Sequence, residues 1–104
     1  HTLVIPNRPA HRLSELDANE LGQLMLGVKE VQRRLSQHFG TADFTVCVHD
    51  GPLAGQEVPH VHVHVLPRTT GDGGRTLMAM WPQTPVSEPN HGALAALANH
   101  LQDV

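Results

Sequence analysis

The sequence predicts an α+β fold in which an antiparallel sheet is covered by a long helix and a C-terminal helix. Apolar residues recur at helical spacing over positions 18–39, and they alternate with polar residues over 43–49 and 60–66. The predicted order is strand, helix, strand, strand, irregular segment and helix, which lacks the regular alternation of a doubly wound parallel sheet. A chain of 104 residues suits one domain with one core.

The first strand is predicted over positions 2–6, where the segment TLVIP is rich in β-branched residues and ends at Pro6. The sequence begins at His1 without a methionine and is already strand-like there. We therefore expect a single domain over 1–104 that lacks its N-terminal strands.

The long helix is predicted over 18–39 because its apolar side chains follow the i, i+3, i+4 spacing of one helical stripe. They stand at positions 21, 24, 25, 28, 31, 35 and 39. Asp17, followed three residues later by Glu20, resembles a capping box, and Gly40 stands where a left-handed C-terminal residue is expected.

Two further strands are predicted from alternation with a period of two. In the first, Phe44, Val46 and Val48 face the core, and the intervening residues face the other side. The second has the sequence HVHVHVL at 60–66, with three histidines on one face and three valines on the other. Between them lies a loop, DGPLAGQEVP, with two glycines and two prolines.

A short C-terminal helix is predicted from the segment HGALAALANHL, which starts at position 91. Its stripe consists of Leu94, Leu97, Ala98 and Leu101. The region between this helix and the histidine strand is rich in glycine and proline and receives no assignment, although the segment TLMAM at 76–80 within it suits a short strand.

The composition excludes several classes of protein. With a net charge of −3, seven Lys and Arg, two Phe and one Trp, the chain has neither a basic stripe nor a stacking surface for nucleic acid. No apolar run approaches the roughly 20 residues of a membrane span, and no signal peptide opens the chain. The single cysteine, Cys47, excludes an internal disulfide and favours a reducing compartment, so we expect a soluble, cytoplasmic protein.

The nine histidines are the one compositional excess, and three of them, His60, His62 and His64, share a face. If the neighbouring strand pairs antiparallel, Thr45, Cys47 and His49 lie beside them. Three interpretations compete: a solvated face, a zinc site built on H-x-H spacing, and nucleophilic catalysis on phosphorus. Close imidazolium groups repel, so such a cluster holds neutral and protonated rings together, which suits an anionic substrate.

HVHVHVL resembles the His-φ-His-φ-His-φ-φ signature of the histidine triad (HIT) superfamily, where φ is hydrophobic, and the resemblance covers residues 1–68. The segments HDGPLAGQ and LPR are most similar to the fragile histidine triad (Fhit) branch, which hydrolyses dinucleoside polyphosphates. The resemblance implies a homodimer and a nucleotide substrate. It implies no protein-bound cofactor or metal, and a divalent cation that accompanies the polyphosphate.

By position in the motif, the resemblance implies that His62 is the nucleophile that forms a nucleotidyl-histidine at the α-phosphate. The carbonyl of His60 orients that ring, His64 hydrogen-bonds the phosphate oxygens, and His1 is a fourth histidine that supports the triad. Gln56 falls on the loop glutamine near the phosphates. His49 departs from the Fhit pattern, which has a glutamine there that contacts the substrate near the scissile bridge. We expect His49 to bind the substrate at this place, where it either donates to the leaving group or alters the substrate preference.

Two alternative functions remain within this family: hydrolysis of nucleoside phosphoramidates, and nucleotide binding with slow turnover. Arg68 meets either substrate phosphate or solvent, and Cys47 is either a thiol nucleophile or a small buried strand residue. Trp81, with Met78 and Met80, serves either ordinary packing or a subunit contact.

Overall fold

The structure, a computed structural model, describes residues 1–73 and 91–102 and has the predicted α+β fold. The segment TLMAM and Trp81 lie outside the described residues. The described part contains one antiparallel sheet in the order β1-β3-β2. Its strands are β1 (Thr2–Val4), β2 (Phe44–Cys47) and β3 (Val63–Pro67), and its helices are α1 (Ala18–Phe39) and α2 (His91–Gln102).

Helix α1 has the bounds and both ends that the sequence predicts. The Asp17 carboxylate accepts a hydrogen bond from the Glu20 N–H at 2.8 Å, and the Glu20 carboxylate accepts one from the Asp17 N–H at 3.0 Å. This reciprocal pair satisfies two amide groups that the first turn leaves without helical partners. At the other end, Gly40 has φ of 67°, a left-handed conformation that favours glycine.

The core lies between α1 and the sheet, and both elements contribute aliphatic side chains to it. Its members include Leu24, Val28 and Leu35 from α1 and three valines, Val61, Val63 and Val65, from β3 and the residues before it. The predicted apolar stripe of α1 is wider than this contact. Leu21, Met25 and Phe39 are 37%, 54% and 39% exposed, because the described sheet does not extend over them.

The strands are shorter than the sequence predicts. β1 ends at Val4 instead of position 6, since Pro6 has no N–H to give to a ladder, and β2 covers Phe44–Cys47 instead of 43–49. Val46 was expected in the core and pairs with the buried Val65. It nevertheless remains 40% exposed, because β2 is at the edge of the described sheet.

The largest correction concerns the histidine strand, which begins at Val63 and not at His60. The N–H of His60 donates to the Val58 carbonyl at 2.7 Å, and the N–H of Val61 donates to the Ala10 carbonyl at 2.8 Å. The first hydrogen bond closes a local bend and the second joins this segment to the loop before α1, so neither amide donates to a neighbouring strand. Of the three histidines, only His64 belongs to β3.

Helix α2 forms as predicted but packs lightly. None of its residues is buried, Leu94 is 51% exposed, and Leu97 and Leu101 are only partly buried. The predicted stripe therefore makes only a marginal contact with the rest of the described chain. Among the residues that the structure describes, no helix combines the length and the apolar character needed to cross a membrane.

Replacing Leu35 with alanine should destabilise the fold far more than the same change at Leu53. Leu35 is 1% exposed, and Leu53 is fully exposed on the loop at Pro52–Ala54. Loss of a fully buried leucine leaves a cavity, so the free energy of unfolding should fall by about 3 kcal/mol, against less than about 0.5 kcal/mol at Leu53. Urea unfolding at pH 7 measures both, and equal effects would contradict the packing described.

Candidate active site

Buried valines hold the histidine segment from behind. Val61, Val63 and Val65 are between 0% and 2% exposed, so alternate side chains between positions 61 and 65 are fixed in the core. Successive side chains of an extended chain point to opposite faces. The rings of His62 and His64 are therefore directed away from the core, on a backbone that packing makes rigid.

The backbone carbonyl of His60 orients the ring of His62. The two atoms, His62 Nδ1 and His60 O, are 2.8 Å apart. A carbonyl oxygen can only accept, so Nδ1 carries the hydrogen and donates it. In the neutral ring, Nε2 then has a free lone pair and can act as a nucleophile or a base.

The ring of His64 lies at the centre of the histidine cluster. Its centroid is 4.9 Å from that of His62, 5.0 Å from that of His1 and 5.3 Å from that of His49. Its Nδ1 is 2.9 Å from Nε2 of His1, a hydrogen-bonding distance. Its Nε2 is buried and has no hydrogen-bond partner among the described residues, an unpaired polar atom of the kind that a ligand can satisfy.

The surroundings of His64 favour its neutral form. Burial lowers the pKa of His64 below 6.5, and the charges of His62 and His49 lower it further. A neutral imidazole can accept a hydrogen bond at one ring nitrogen and donate one from the other.

Antiparallel pairing brings β2 beside the cluster, as the sequence predicts. Cys47 pairs with His64 in the register of β2 and β3, so the two side chains share a face. His49, two residues further on, approaches His64 on that face. Cys47 is a free, partly buried thiol.

The structure places Gln56 in a framework role between two loops. Its side-chain oxygen accepts from the Gly51 N–H at 2.8 Å, and its side-chain nitrogen donates to the His11 carbonyl at 2.8 Å. Gly51 is buried with φ of 104°, a conformation that favours glycine. The amide of Gln56 therefore ties the loop before the histidine segment to the loop before α1.

The side chain of Arg68 is partnered and largely buried. Its guanidinium pairs with Asp72 at 2.9 Å, donates to the Thr45 hydroxyl at 3.1 Å and is only 15% exposed. Of the two alternatives for this residue, a solvated side chain does not fit these contacts, and contact with substrate phosphate stays a prediction.

The sequence reasoning did not single out Leu3, which the structure brings to the histidine face. Leu3 pairs with His64 in the register of β1 and β3, and it is 53% exposed. Alternation along β1 would have identified it, because His1 and Leu3 are two residues apart. An exposed leucine beside four imidazoles provides an apolar surface next to a polar one.

The described residues do not support the zinc interpretation. In the ranges 1–73 and 91–102, no group of three or more His, Cys, Asp or Glu side chains is arranged to hold a metal ion. The histidine cluster is instead linked by hydrogen bonds from ring to ring and from ring to backbone. This geometry suits nucleophilic and proton-transfer chemistry on an anion.

Comparison with known proteins agrees with the geometry. A family model described as the HIT domain matches residues 1–71. The nitrilase and fragile histidine triad fusion protein NitFhit of Caenorhabditis elegans is 47% identical over 74 residues, 71% of this chain and 17% of that protein. The crystal structure of C. elegans NitFhit matches with a TM-score of 0.69 and 37% identity, covering 95% of this chain and 21% of that one.

Two further relatives carry enzyme names. The bifunctional bis(5'-adenosyl)-triphosphatase/adenylylsulfatase FHIT of Arabidopsis thaliana is 43% identical over 72 residues, 69% of this chain and 40% of that protein. Adenosine 5'-monophosphoramidase hnt1 of Schizosaccharomyces pombe is 32% identical over 94 residues, 90% of this chain and 66% of that protein. The chain thus spans less than half the length of the NitFhit and Arabidopsis relatives.

The lowered pKa of His64 predicts that the fold loses stability in acid. Above about pH 6.5 the ring is neutral in both states and contributes nothing to the pH dependence. As the pH falls below that value, the unfolded chain takes up the proton more readily than the folded one, so the free energy of unfolding falls. His64→Gln should make this fall shallower between pH 7 and about pH 5 in urea titrations.

The control for this measurement is His91→Gln, which removes an exposed ring at the start of α2, outside the cluster. It should leave the pH dependence of the wild type unchanged. Equal slopes in the wild type and His64→Gln would show that burial of His64 does not disfavour its charged form.

Proposed function

The chain belongs to the HIT domain family, and on that premise we propose that the protein hydrolyses dinucleoside polyphosphates at the α-phosphate. The single observation that carries the proposal is the 2.8 Å hydrogen bond from His62 Nδ1 to the His60 carbonyl. In the neutral His62 ring this bond leaves Nε2 without a hydrogen, beside a ring, His64, whose buried Nε2 has no hydrogen-bond partner among the described residues. The Arabidopsis relative's name, bis(5'-adenosyl)-triphosphatase, supports this substrate class.

In the first step, Nε2 of His62 attacks the α-phosphorus of the nucleotide. A phosphorus–nitrogen bond forms, the bond from phosphorus to the bridging oxygen breaks, and the remaining nucleotide leaves with that oxygen. The Nδ1 hydrogen bond to the His60 carbonyl stabilises the positive charge that develops on the His62 ring. In the second step, water attacks the same phosphorus and passes a proton to His49, which gave one to the leaving oxygen. The phosphorus–nitrogen bond breaks with its electron pair returning to Nε2, and a nucleoside monophosphate is released.

The other rings act on the phosphate oxygens and on the leaving group. His1 donates from Nε2 to Nδ1 of His64, so that His64 carries its hydrogen on Nε2 and donates it to a non-bridging oxygen. His49 contacts the substrate near the scissile bridge, where an imidazolium would donate a proton to the leaving oxygen. Leu3 offers its exposed side chain to the nucleoside.

Gln56 acts on the substrate through the loop that it holds. Its amide ties Gly51 to the loop of His11, so the segment that leads from His49 to His60 has a defined path. No protein-bound metal or cofactor takes part in the proposed steps. A divalent cation enters with the polyphosphate, whose charge it partly neutralises.

Replacing His62 with alanine should lower kcat for diadenosine triphosphate by at least about 10⁴-fold, roughly 5 kcal/mol of barrier, because the attacking nitrogen is lost. Intact-mass spectrometry of acid-free quenched samples should detect a nucleoside monophosphate adduct on the wild type and none on His62→Ala. His91→Ala, at an exposed ring outside the cluster, is the matched control and should retain wild-type turnover.

Three outcomes would count against this assignment. Undiminished turnover by His62→Ala would exclude that ring as the nucleophile. Faster cleavage of an adenosine phosphoramidate than of diadenosine triphosphate, at equal concentration, would favour the alternative supported by the S. pombe relative's name. Tight nucleotide binding without product over hours would favour the slow-turnover binding protein.

The protein is further proposed to be a cytoplasmic homodimer. The lone, free Cys47 agrees with a reducing compartment. The exposed apolar side chains of α1 support self-association, since Leu21, Met25 and Leu26 are 37%, 54% and 59% exposed on one helix. A second copy that packs there would remove this surface from water.

Replacing Leu26 with glutamate should shift the proposed dimer toward the monomer, because the charge would have to be buried in the subunit contact. Light scattering during size-exclusion chromatography should show the mass halved at micromolar concentration. Leu53→Glu is the control, because Leu53 is fully exposed on the loop at Pro52–Ala54. A monomeric wild type, or a Leu26→Glu variant that stays dimeric, would contradict the use of this face.

A further inference from the structure

Two histidines outside the active site meet where α1 and α2 touch. His38 is in the last turn of α1, His100 is in the last turn of α2, and their ring centroids are 4.4 Å apart with the planes at 62°. The ring of His38 also contacts the ring of Phe39, with the centroids 4.6 Å apart and the planes nearly perpendicular. This contact limits the orientations of the His38 ring. The proposed hydrolysis uses neither histidine.

We propose that His38 and His100 form a two-histidine site for a divalent transition-metal ion, of the Ni²⁺ or Cu²⁺ type, that fastens α2 to α1. Both rings are exposed at their positions, so an ion and its water ligands can reach them from solvent. This site is independent of the histidine cluster around His64 and of the reaction proposed there.

The distance between the rings decides which coordination geometry fits. Imidazole nitrogen binds such ions at about 2.1 Å, which puts a ring centroid about 3.2 Å from the metal. Two centroids 4.4 Å apart then subtend an angle of about 90° at the ion. A tetrahedral ion would need the centroids about 5.2 Å apart, so the pair favours the right angles of square-planar or octahedral ions.

The ends of the two helices favour a cation at this place. The C-terminal end of a helix carries about half a negative charge, and its last carbonyls have no helical partners. Here two such ends converge, because both histidines lie in last turns. Arg34 donates to the Leu101 carbonyl at 3.3 Å and shares the Glu30 carboxylate with Arg33, at 3.1 Å and 2.7 Å, so this carboxylate offsets part of the positive charge beside the site.

The weak packing of α2 gives the site a physical role. No residue of α2 is buried, and a cavity of about 110 Å³ lies between the two helices and β1, lined partly by Val31, Leu35 and Ala98. Few apolar contacts therefore hold the helix, and it should open at a lower free energy than the core. An ion bound by one ligand from each helix would be present only in the docked state and would stabilise it.

Hydrogen exchange of α2 amides with added Ni²⁺ tests the site, on protein without a histidine tag. Ni²⁺ should slow exchange across 95–102 in the wild type, and chelation by EDTA should reverse the effect. Two linked ligands bind far more tightly than one, so His38→Gln or His100→Gln should raise the Ni²⁺ concentration for half-maximal protection by about 100-fold. The double variant should lose no more than either single variant.

The readout separates this site from the histidine cluster, where Ni²⁺ bound to His62 or His64 would leave α2 exchange unaffected. His91→Gln is the matched control, since it removes a histidine from the first turn of the same helix. It should keep wild-type protection. Absence of Ni²⁺-dependent protection in the wild type, or protection of His38→Gln or His100→Gln at the same Ni²⁺ concentration as the wild type, would overturn the proposal.

Discussion

The burial of alternate valines is the constraint on which the histidine site depends. Val61, Val63 and Val65 are each at most 2% exposed and pack against Leu24, Val28 and Leu35 of α1. Moving this segment by one residue would expose the valines and bury the imidazoles, which would cost several kcal/mol. The hydrophobic core therefore sets the direction of His62 and His64, and α1 serves the site without contributing a side chain to it.

The early end of the β-ladder has a chemical consequence. β3 is the central strand of the described sheet, where carbonyl groups are normally paired with the neighbouring strands. Because the chain leaves the ladder before Val63, the carbonyl of His60 is available to accept from the ring of His62. The bend that shortens the strand is thus the feature that selects the tautomer of His62. A regular strand over 60–66 would offer the same residues without this orientation.

The cluster around His64 is assembled from three separate parts of the sheet. His1 precedes β1, His49 follows β2, and His64 is in β3, yet the ring centroids of His1 and His49 lie 5.0 Å and 5.3 Å from that of His64. Burial lowers the pKa of His64, and the charges of His62 and His49 lower it further, so the assembly favours the neutral form of this ring. Gln56 and Gly51 fix the loop that connects His49 to His60 and so support this assembly from the side.

Local patterns in the sequence determined the elements and their inward faces. Helical spacing, the Asp17 and Glu20 cap and Gly40 defined α1 at both ends, and alternation identified the valines as the buried side of the histidine segment. Each of these features depends on residues within a few positions of one another along the chain. They can therefore be predicted from the sequence alone.

Only the tertiary structure decided how distant groups meet. The loss of His60 and Val61 from the ladder depends on a hydrogen bond to Ala10, and the position of Gln56 depends on the carbonyl of His11, some 45 residues earlier. The pairing of His38 with His100, 62 positions apart, likewise depends on how α2 packs. Such contacts follow from the packing of whole elements, which local spacing does not encode.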